Sequence, residues 1–395
     1  MGQRKERRFE SRRDEIVIAA SRLLNLYGAS ELRITDIADV LGLDNSSINY
    51  YFRKKDMLIA ACLERSVTWL EQAATRAAAE GNSLARTDAL LAAQFELFEN
   101  QRAGAPPLAL LSDLPSLVDE ARMPVEKHLE STMRAIADFF TEDPPEGSRL
   151  SRLLATNVLA SNIFWMPAWQ EDYATCEFAR LRGVLVSLFA EGMLRTPPVS
   201  GMPPQIVSDG ENDARTAFLE AAIRLINRQG HNGARVEKVA AELGLSTGSF
   251  YHHLRTKNEL ITACFDRSFA VFDRGLEIAE SAPTKGAGLL LMARSIGHYQ
   301  LTAKAPLLRI GSYQALPEDL RREMIQRNTQ LTNRIIGVMS QGMADGSVRV
   351  CDAGLAARYF LAAVYGLSDL REWSRPGDED KLVNQFSSIL IRGIG

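Results

Sequence analysis

The chain has 395 residues, 46% hydrophobic and 24% charged, with a formal net charge of −3. That is long for one domain and ordinary for a globular protein of two or more. The near-neutral balance excludes a protein that coats nucleic acid along its whole length, so any such contact has to come from a local basic patch. Cys62, Cys176, Cys264 and Cys351 stand far apart without C-x-x-C spacing, and the five histidines form no H-E-x-x-H. Neither a disulfide framework nor a metal site is expected, and no cofactor. No apolar run approaches the ~20 residues that span a bilayer. The Arg-rich start lacks the apolar stretch of a secretory signal, and a cytoplasmic location without membrane partners is expected.

Residues 1–13 form a basic arm, with Arg4, Lys5, Arg7, Arg8, Arg12 and Arg13 against Glu6 and Glu10. A first helix is predicted over about 12–27, opened by a capping-box-like Ser11 and Asp14 and ended by Gly28. Ile16, Ala20, Leu23, Leu24 and Tyr27 make its apolar stripe. Thr35 is placed to cap the next helix. Ile37, Ala38 and Leu41 then form one stripe and Ile48, Tyr51 and Phe52 another, joined at Gly42, where a helix ends at positive φ. Asp44 or Asn45 caps the second. Two short helices so joined are a helix-turn-helix, which lays its second helix in the major groove of DNA.

A long helix over 55–79 follows. The pattern over 84–140 is helical, with breaks at 104–107, Pro115 and Pro124, and two apolar helices are predicted over 149–166 and 174–194. Residues 196–211, rich in Pro, Gly and Ser, read as an inter-domain linker. The chain then starts again. A shift of 202 positions lays 19–58 on 221–260 without a gap, with 15 of 40 residues identical. Gly28 falls on Gly230, Ala38 on Ala240, Leu41-Gly-Leu43 on Leu243-Gly-Leu245 and Lys55 on Lys257. Pro107-Leu108 matches Pro306-Leu307 at a slightly smaller shift. The expected fold is therefore all-α and a tandem duplication. It comprises the arm (1–13), a first helix-turn-helix head (14–58) and helical body (59–195), the linker (196–211), and a second head (212–260) and body (261–395).

The second copy runs Ser246-Thr-Gly-Ser-Phe-Tyr-His-His-Leu-Arg-Thr-Lys257. This resembles the tetracycline-repressor (TetR) family pattern Ser-x-Gly-Ser-Phe-Tyr-x-His-Phe-x-x-Lys, with Leu254 in place of Phe. The first copy keeps Thr35, Phe52 and Lys55 but has Ser46 for Gly and Asn49 for Tyr. The resemblance covers about 50 residues per copy. It implies a DNA-binding head on each half, a helical body that takes a small-molecule effector, and a dimer interface built from the last two helices of each body. A ligand-responsive transcription regulator, most simply a repressor, is the expected function.

With Ile48, Tyr51 and Phe52 inward, the first recognition helix shows Asn45, Ser46, Ser47, Asn49, Tyr50 and Arg53. Asn pairs with the adenine edge and Ser reads either base type. Thr35, Tyr50, Lys54 and Lys55 are assigned to phosphates, which set position rather than sequence, and Arg33 is a further candidate for DNA contact. The arm either enters a minor groove or is a solvated charge run; the residues fit both readings. The second head offers Thr247, Gly248, Ser249, Tyr251 and His252, with Lys257 for a phosphate, but Glu237 stands where the first head has Thr35. Trp69, Phe95, Phe98, Trp165, Phe272, His298, Tyr299 and Tyr313 are candidate ligand-lining residues, although most residues of this kind are core. No nucleophile–base, phosphate-loop or dinucleotide motif argues for an enzyme. Either the halves pair within one chain as a pseudo-dimer or two chains pair as a homodimer. A helical ligand-binding protein whose heads are structural is the alternative.

Overall fold

The computed structural model describes residues 2–141, 149–198, 201–206, 214–245, 256–309, 316 and 318–394. The first half contains α1 (Gly2–Glu31), α2 (Ile34–Leu41), α3 (Asn45–Tyr51), α4 (Lys55–Ala77), α5 (Ser83–Arg102), a 3-10 segment (Leu111–Ser116), α6 (Asp119–Ala137), α7 (Arg149–Trp165) and α8 (Phe178–Glu191). The second contains α9 (Ala214–Gln229), α10 (Val236–Glu242), α11 (Lys257–Ser281), α12 (Lys285–Thr302), α13 (Glu318–Ala344), α14 (Ala353–Gly366) and α15 (Glu379–Arg392). Among the described residues the only β-pairing is an isolated antiparallel bridge, Leu194 with Val348. No helix there is long and apolar enough to cross a membrane.

The first head folds as its apolar spacing dictates. Ile16, Ala20 and Leu24 of α1, Ile37 and Ala38 of α2, and Ile48 of α3 are buried together with Leu58, Ile59 and Leu63 of α4. The α2–α3 turn closes on Gly42 (φ 61°, ψ 41°), with Leu43 N–H donating to Ala38 C=O at 2.9 Å. A Cβ is disfavoured in that left-handed conformation, which is why glycine stands there. Gly244, at the 202-residue shift, has φ 65°, and Leu245 N–H donates to Ala240 C=O at 2.9 Å.

The repeat extends to side-chain hydrogen bonds in register. Asn25 Nδ2 donates to Leu108 C=O at 2.8 Å while its Oδ1 accepts from Leu110 N–H at 2.9 Å. Asn227 makes the same pair with Leu307 C=O and Arg309 N–H, both at 3.0 Å. The thiols of Cys62 and Cys264 sit against the carbonyls of Val17 and Leu219. All four cysteines are free thiols.

The halves meet through their closing helices. α7 packs on α14 and α15, and α8 packs on the same two. Met193 N–H donates to Leu390 C=O (2.8 Å), and Ile394 N–H donates to Phe189 C=O (2.7 Å). At a shift of 201 these two bonds exchange donor and acceptor halves, as contacts across a two-fold axis do. Trp165 stacks on Tyr365 (centroids 5.1 Å), and Phe189 meets Tyr359 edge-on (5.1 Å). Among the described residues, arginine pairs cross the seam at Arg180–Asp352 (2.8 Å), Arg358–Asp172 (2.6 Å) and Arg349–Glu191 (2.8 Å).

Several local expectations are corrected. α1 begins at Gly2, not near Arg12, so Ser11 and Asp14 lie inside a helix rather than at its cap. Arg33, extended at φ −115° and ψ 142°, precedes α2, which places Thr35 in the first turn beside Asp36 instead of at the cap. Asp44 is the residue before α3, but its carboxylate makes no cap bond. Pro124 does not break α6 but lies inside it, as its sixth residue.

Candidate nucleic-acid interface

The outward face of α3 carries the residues the sequence assigned to it. Asn45, Ser46, Asn49, Tyr50 and Arg53 are exposed, Ser47 and Tyr51 are half-buried, and Ile48 and Phe52 are buried. Tyr50 is 72% exposed. Arg33 and Thr35, at the start of α2, are exposed as well. Arg12, Leu43, Ser46, Ser47, Tyr50 and Tyr51 line an open concavity, whose hydroxyl and guanidinium groups suit a phosphate or a base edge.

The two lysines assigned to phosphates differ. Lys54 is exposed and pairs with Glu120 (2.7 Å); the hydrogen bond and charge of that carboxylate raise the lysine pKa and lower the glutamate's. An exposed pair of this kind is weak and exchanges readily for another anion. Lys55 is committed elsewhere. Its Nζ donates to the carbonyls of Ala29 (2.9 Å), Leu32 (3.0 Å) and Ser30 (3.4 Å). An ammonium has three protons, so Lys55 closes the end of α1 and has none left for a phosphate.

Two features escaped the spacing. Phe9 reaches Tyr51 (4.7 Å) and Tyr50 (5.9 Å), and the Arg13 guanidinium lies over the Phe52 ring at 5.0 Å. The arm is therefore a helical extension of α1 resting on α3. Phe9, Arg13 and Ile16 fall at i, i+4 and i+7, a spacing that could have revealed it. Asp113, in the segment before α6, accepts Ala29 N–H at 3.0 Å. Burial pushes its carboxyl up to about 6, against that hydrogen bond and the charge of Lys55.

In the second head, Thr247, Gly248, Ser249, Tyr251 and His252 lie outside the described residues. α10 precedes them, with Glu237 exposed in its first turn, and Lys257 opens α11 after the Thr256 cap. Burial and the charge of Arg235 lower the Lys257 pKa, while Glu31 of the first head opposes them. Glu242 takes up both Arg224 (3.1 Å) and Arg228 (3.0 Å).

The candidate ligand-lining residues divide between the bodies. Phe95 and Phe98 are buried and meet Phe178 at 5.2 and 6.4 Å, while Trp69 is partly buried against the same core. Phe272 and Trp165 both touch Tyr365, at 4.8 and 5.1 Å, and so join at the seam between the halves. Tyr299 is buried. His298 faces Asp380 at 4.0 Å, with Thr302 one turn away. Tyr313 lies outside the described residues. Among the described residues no three His, Cys, Asp or Glu side chains group as a metal site.

Two family descriptions match the chain. Residues 218–264 match "Bacterial regulatory proteins, tetR family", and residues 291–394 match "Tetracyclin repressor-like, C-terminal domain". The HTH-type transcriptional repressor KstR2 of Rhodococcus jostii is 26% identical over 200 residues, which are 49% of this chain and 96% of that repressor. The fatty acid metabolism regulator protein of Bacillus subtilis is 23% identical over 187 residues, 45% of this chain and 93% of the relative. Among solved structures, AibR in complex with isovaleryl coenzyme A and operator DNA is 19% identical, covering 45% of this chain and 98% of AibR, with a TM-score of 0.39. Each of these proteins nearly in full is matched by about half of this chain.

Proposed function

We propose that this chain, which belongs to the tetR family of bacterial regulatory proteins, is a ligand-responsive repressor with two heads on one polypeptide. The observation that carries this reading is the exposed face of α3, where Asn45, Ser46, Asn49 and Tyr50 stand outward over the buried Ile48 and Phe52. Asn45 and Asn49 read adenine edges, and Arg33, Thr35, Tyr50 and Lys54 hold the backbone. In the second head Thr247, Gly248, Ser249, Tyr251 and His252 take the same task. Lys257, like Lys55, sits at the start of the helix leading into its body.

The halves form an intramolecular pseudo-dimer. The exchanged Met193–Leu390 and Ile394–Phe189 bonds support it, because they satisfy within one chain the surface a homodimer would use. Since the two recognition helices differ in sequence, the operator is asymmetric. The effector is apolar or amphipathic and acts in the cytoplasm. The aromatic groups around Phe95, Phe98 and Trp69, and around Phe272, Tyr299 and His298, support that class, as does the name of the fatty acid metabolism relative. Its binding shifts the population toward an arrangement whose heads no longer match the operator.

A sequence selected from random DNA, footprinted while the mass of the complex is measured by light scattering, tests this. One chain on an asymmetric site is expected; a palindrome holding two chains rejects the pseudo-dimer. Asn45→Ala with Asn49→Ala is expected to cost about 1–3 kcal/mol of operator affinity per lost base pairing, with a smaller loss from Thr247→Ala with Tyr251→Ala. The second reading, structural heads on a ligand-binding protein, is favoured by Glu242 occupying Arg224 and Arg228. It prevails if no salt-dependent DNA binding occurs at low ionic strength.

A further inference from the structure

Each head is held by both bodies. α6 and α13 begin at Asp119 and Glu318, and the fourth residue of each is an arginine, Arg122 and Arg321. Arg122 Nη1 donates to the carbonyl of Arg228, in the last turn of α9 of the second head, at 3.4 Å. Arg321 Nη1 donates to the carbonyl of Leu26, in α1 of the first head, also at 3.4 Å. Leu26 and Arg228 are themselves 202 residues apart, so the two contacts are the same contact made in opposite directions.

The carbonyls chosen are the ones that need a donor. α9 ends at Gln229, and α1 is interrupted at Gly28 (φ 71°, ψ 168°), so each carbonyl sits where the intrahelical ladder stops. A cation at a helix C-terminus is favoured by the helix dipole as well. The Arg122 guanidinium is aimed from its own helix by Asp119 Oδ1 (2.7 Å) and Glu126 Oε1 (3.3 Å). The residue just before each braced carbonyl, Asn25 or Asn227, is gripped by the head's own body. The first helix of each head is thus a node between two bodies.

Packing reinforces one side. The segment Leu111–Ser116 of the first half lies against α9 and the turn that follows it. A Cβ at Gly230 would come within 2.8 Å of Ser116 Cβ, so only glycine lets the segment sit so close. The corresponding stretch 310–315 is outside the described residues.

We propose that Arg122 and Arg321 are positioning residues which fix the separation of the two heads, and thereby the half-site spacing this chain accepts in DNA. The DNA part of this rests on the repressor reading; the bracing part does not. When the bodies rotate against one another, each brace drags the opposite head, so effector-driven motion at the seam becomes a change of head separation.

Two readouts test it. In the full chain with Cys176→Ser and Cys351→Ser, spin labels at Val40→Cys and Glu237→Cys report the distance between heads without DNA. A single narrow distribution is expected, broadened by Arg122→Met with Arg321→Met while helicity and melting remain those of a folded chain. Equal widths overturn the bracing. Unlabelled chains are then titrated with the selected operator and with versions lengthened or shortened by one base pair. The parent is expected to lose about tenfold or more on the altered spacings, and the double variant to differ by only about threefold among all of them, because its heads adapt. Unchanged discrimination in the double variant overturns the spacing role. If the parent binds no DNA, the repressor reading and the spacing role fall together, while the label distances still decide the bracing.

Discussion

The two halves hold the same pair of helices together with different chemistry. In the first, His128 of α6 reaches Glu64 with Nδ1 (2.6 Å) and Glu71 with Nε2 (3.1 Å) on α4. In the second, Arg327 of α13 pairs with Asp266 (2.5 Å) and Arg334 with Asp273 (2.6 Å) on α11. Asp266 and Asp273 stand at the 202-residue shift from Glu64 and Glu71. Opposite charge between the two helices is what the architecture requires; the identity of the cation is free. A guanidinium stays charged at every accessible pH, whereas an imidazole does not. At this helix pair, sensitivity to pH therefore belongs to the first half alone.

Disturbing the seam between the halves should have the largest effect. Gly366 has the Ser161 hydroxyl and Cβ within 1.9 and 2.8 Å of where its own Cβ would be, and Asn157 Nδ2 donates to its carbonyl at 3.0 Å. Its counterpart at a shift of 201 is Trp165, so one half carries a large side chain where the other carries none. Gly366→Val is expected to cost about 3 kcal/mol by overpacking, seen as a lower midpoint in urea; an unchanged midpoint would show that the halves tolerate separation there.

Next comes Asp113, whose position in the second half is held by Ser312. Its folded-state pKa, about 6, lies above the ordinary 3.8 because burial disfavours the carboxylate. The folded state thus binds the proton more tightly than the unfolded one. Stability is greatest below the ordinary value and is lost as pH rises through about 6. Asp113→Asn keeps an acceptor for Ala29 N–H without a charge. It should match the parent near pH 4 and exceed it at pH 7.5 by on the order of 2 kcal/mol in denaturant titrations. A parent as stable as the variant at both pH values would contradict this.

Lys55→Met distinguishes the heads more finely. Losing a charged donor from three carbonyls should cost about 1.5 kcal/mol, and amide exchange should accelerate at residues 29–52 while α9 and α10 keep their protection. Equal acceleration in both heads would mean that they melt as one unit.

The smallest effect is at His128. Burial works against its charge, but the hydrogen bonds and charges of Glu64 and Glu71 prevail and raise its pKa. The stabilisation is full below the ordinary imidazole value of 6.5 and disappears as pH rises through the raised one. His128→Gln should therefore lower stability by under about 1 kcal/mol at pH 6, since the carboxylates are partly exposed, and by nothing at pH 9. Arg327→Gln should show a deficit that does not change over that range.

The apolar grammar of the heads was legible because it is local. The Ile37, Ala38 and Leu41 stripe, the Ile48 and Phe52 stripe and the positive-φ Gly42 all act within one turn of the chain. Outward Asn45, Asn49 and Tyr50 followed by elimination. Lys55 was misassigned to phosphate because its partners, Ala29 to Leu32, lie more than twenty residues earlier, and a basic residue beside a recognition helix looks the same whichever anion or carbonyl it meets. Thr35 lost its cap role because the chain at Arg33 is already extended, which starts α2 two residues sooner, at Ile34. The seam was legible only through the family resemblance, which implies an interface of the last two helices of each body but leaves open whether one chain or two supply it. The apolar faces of α7 and α8 have the same spacing whether they meet their own body or the other half, and what distinguishes the two is the set of contacts between the halves: the bonds of Met193 and Ile394, the Trp165–Tyr365 stack and the arginine pairs.

Those crossing bonds join segments of one polypeptide, so the meeting of the halves is unimolecular. Its equilibrium is set by the tether between them and not by how many copies a cell contains. A regulator assembled from two separate chains loses its paired form on dilution, and the paired form rises with the square of chain number while free monomer predominates. Here pairing survives dilution, and on the proposed reading of the chain as a pseudo-dimeric repressor, operator occupancy at low abundance rises with the first power of copy number. Each half also stays matched to its own counterpart, which leaves it free to accumulate residues, such as His128 opposite Arg327, that a symmetric assembly would have to carry twice.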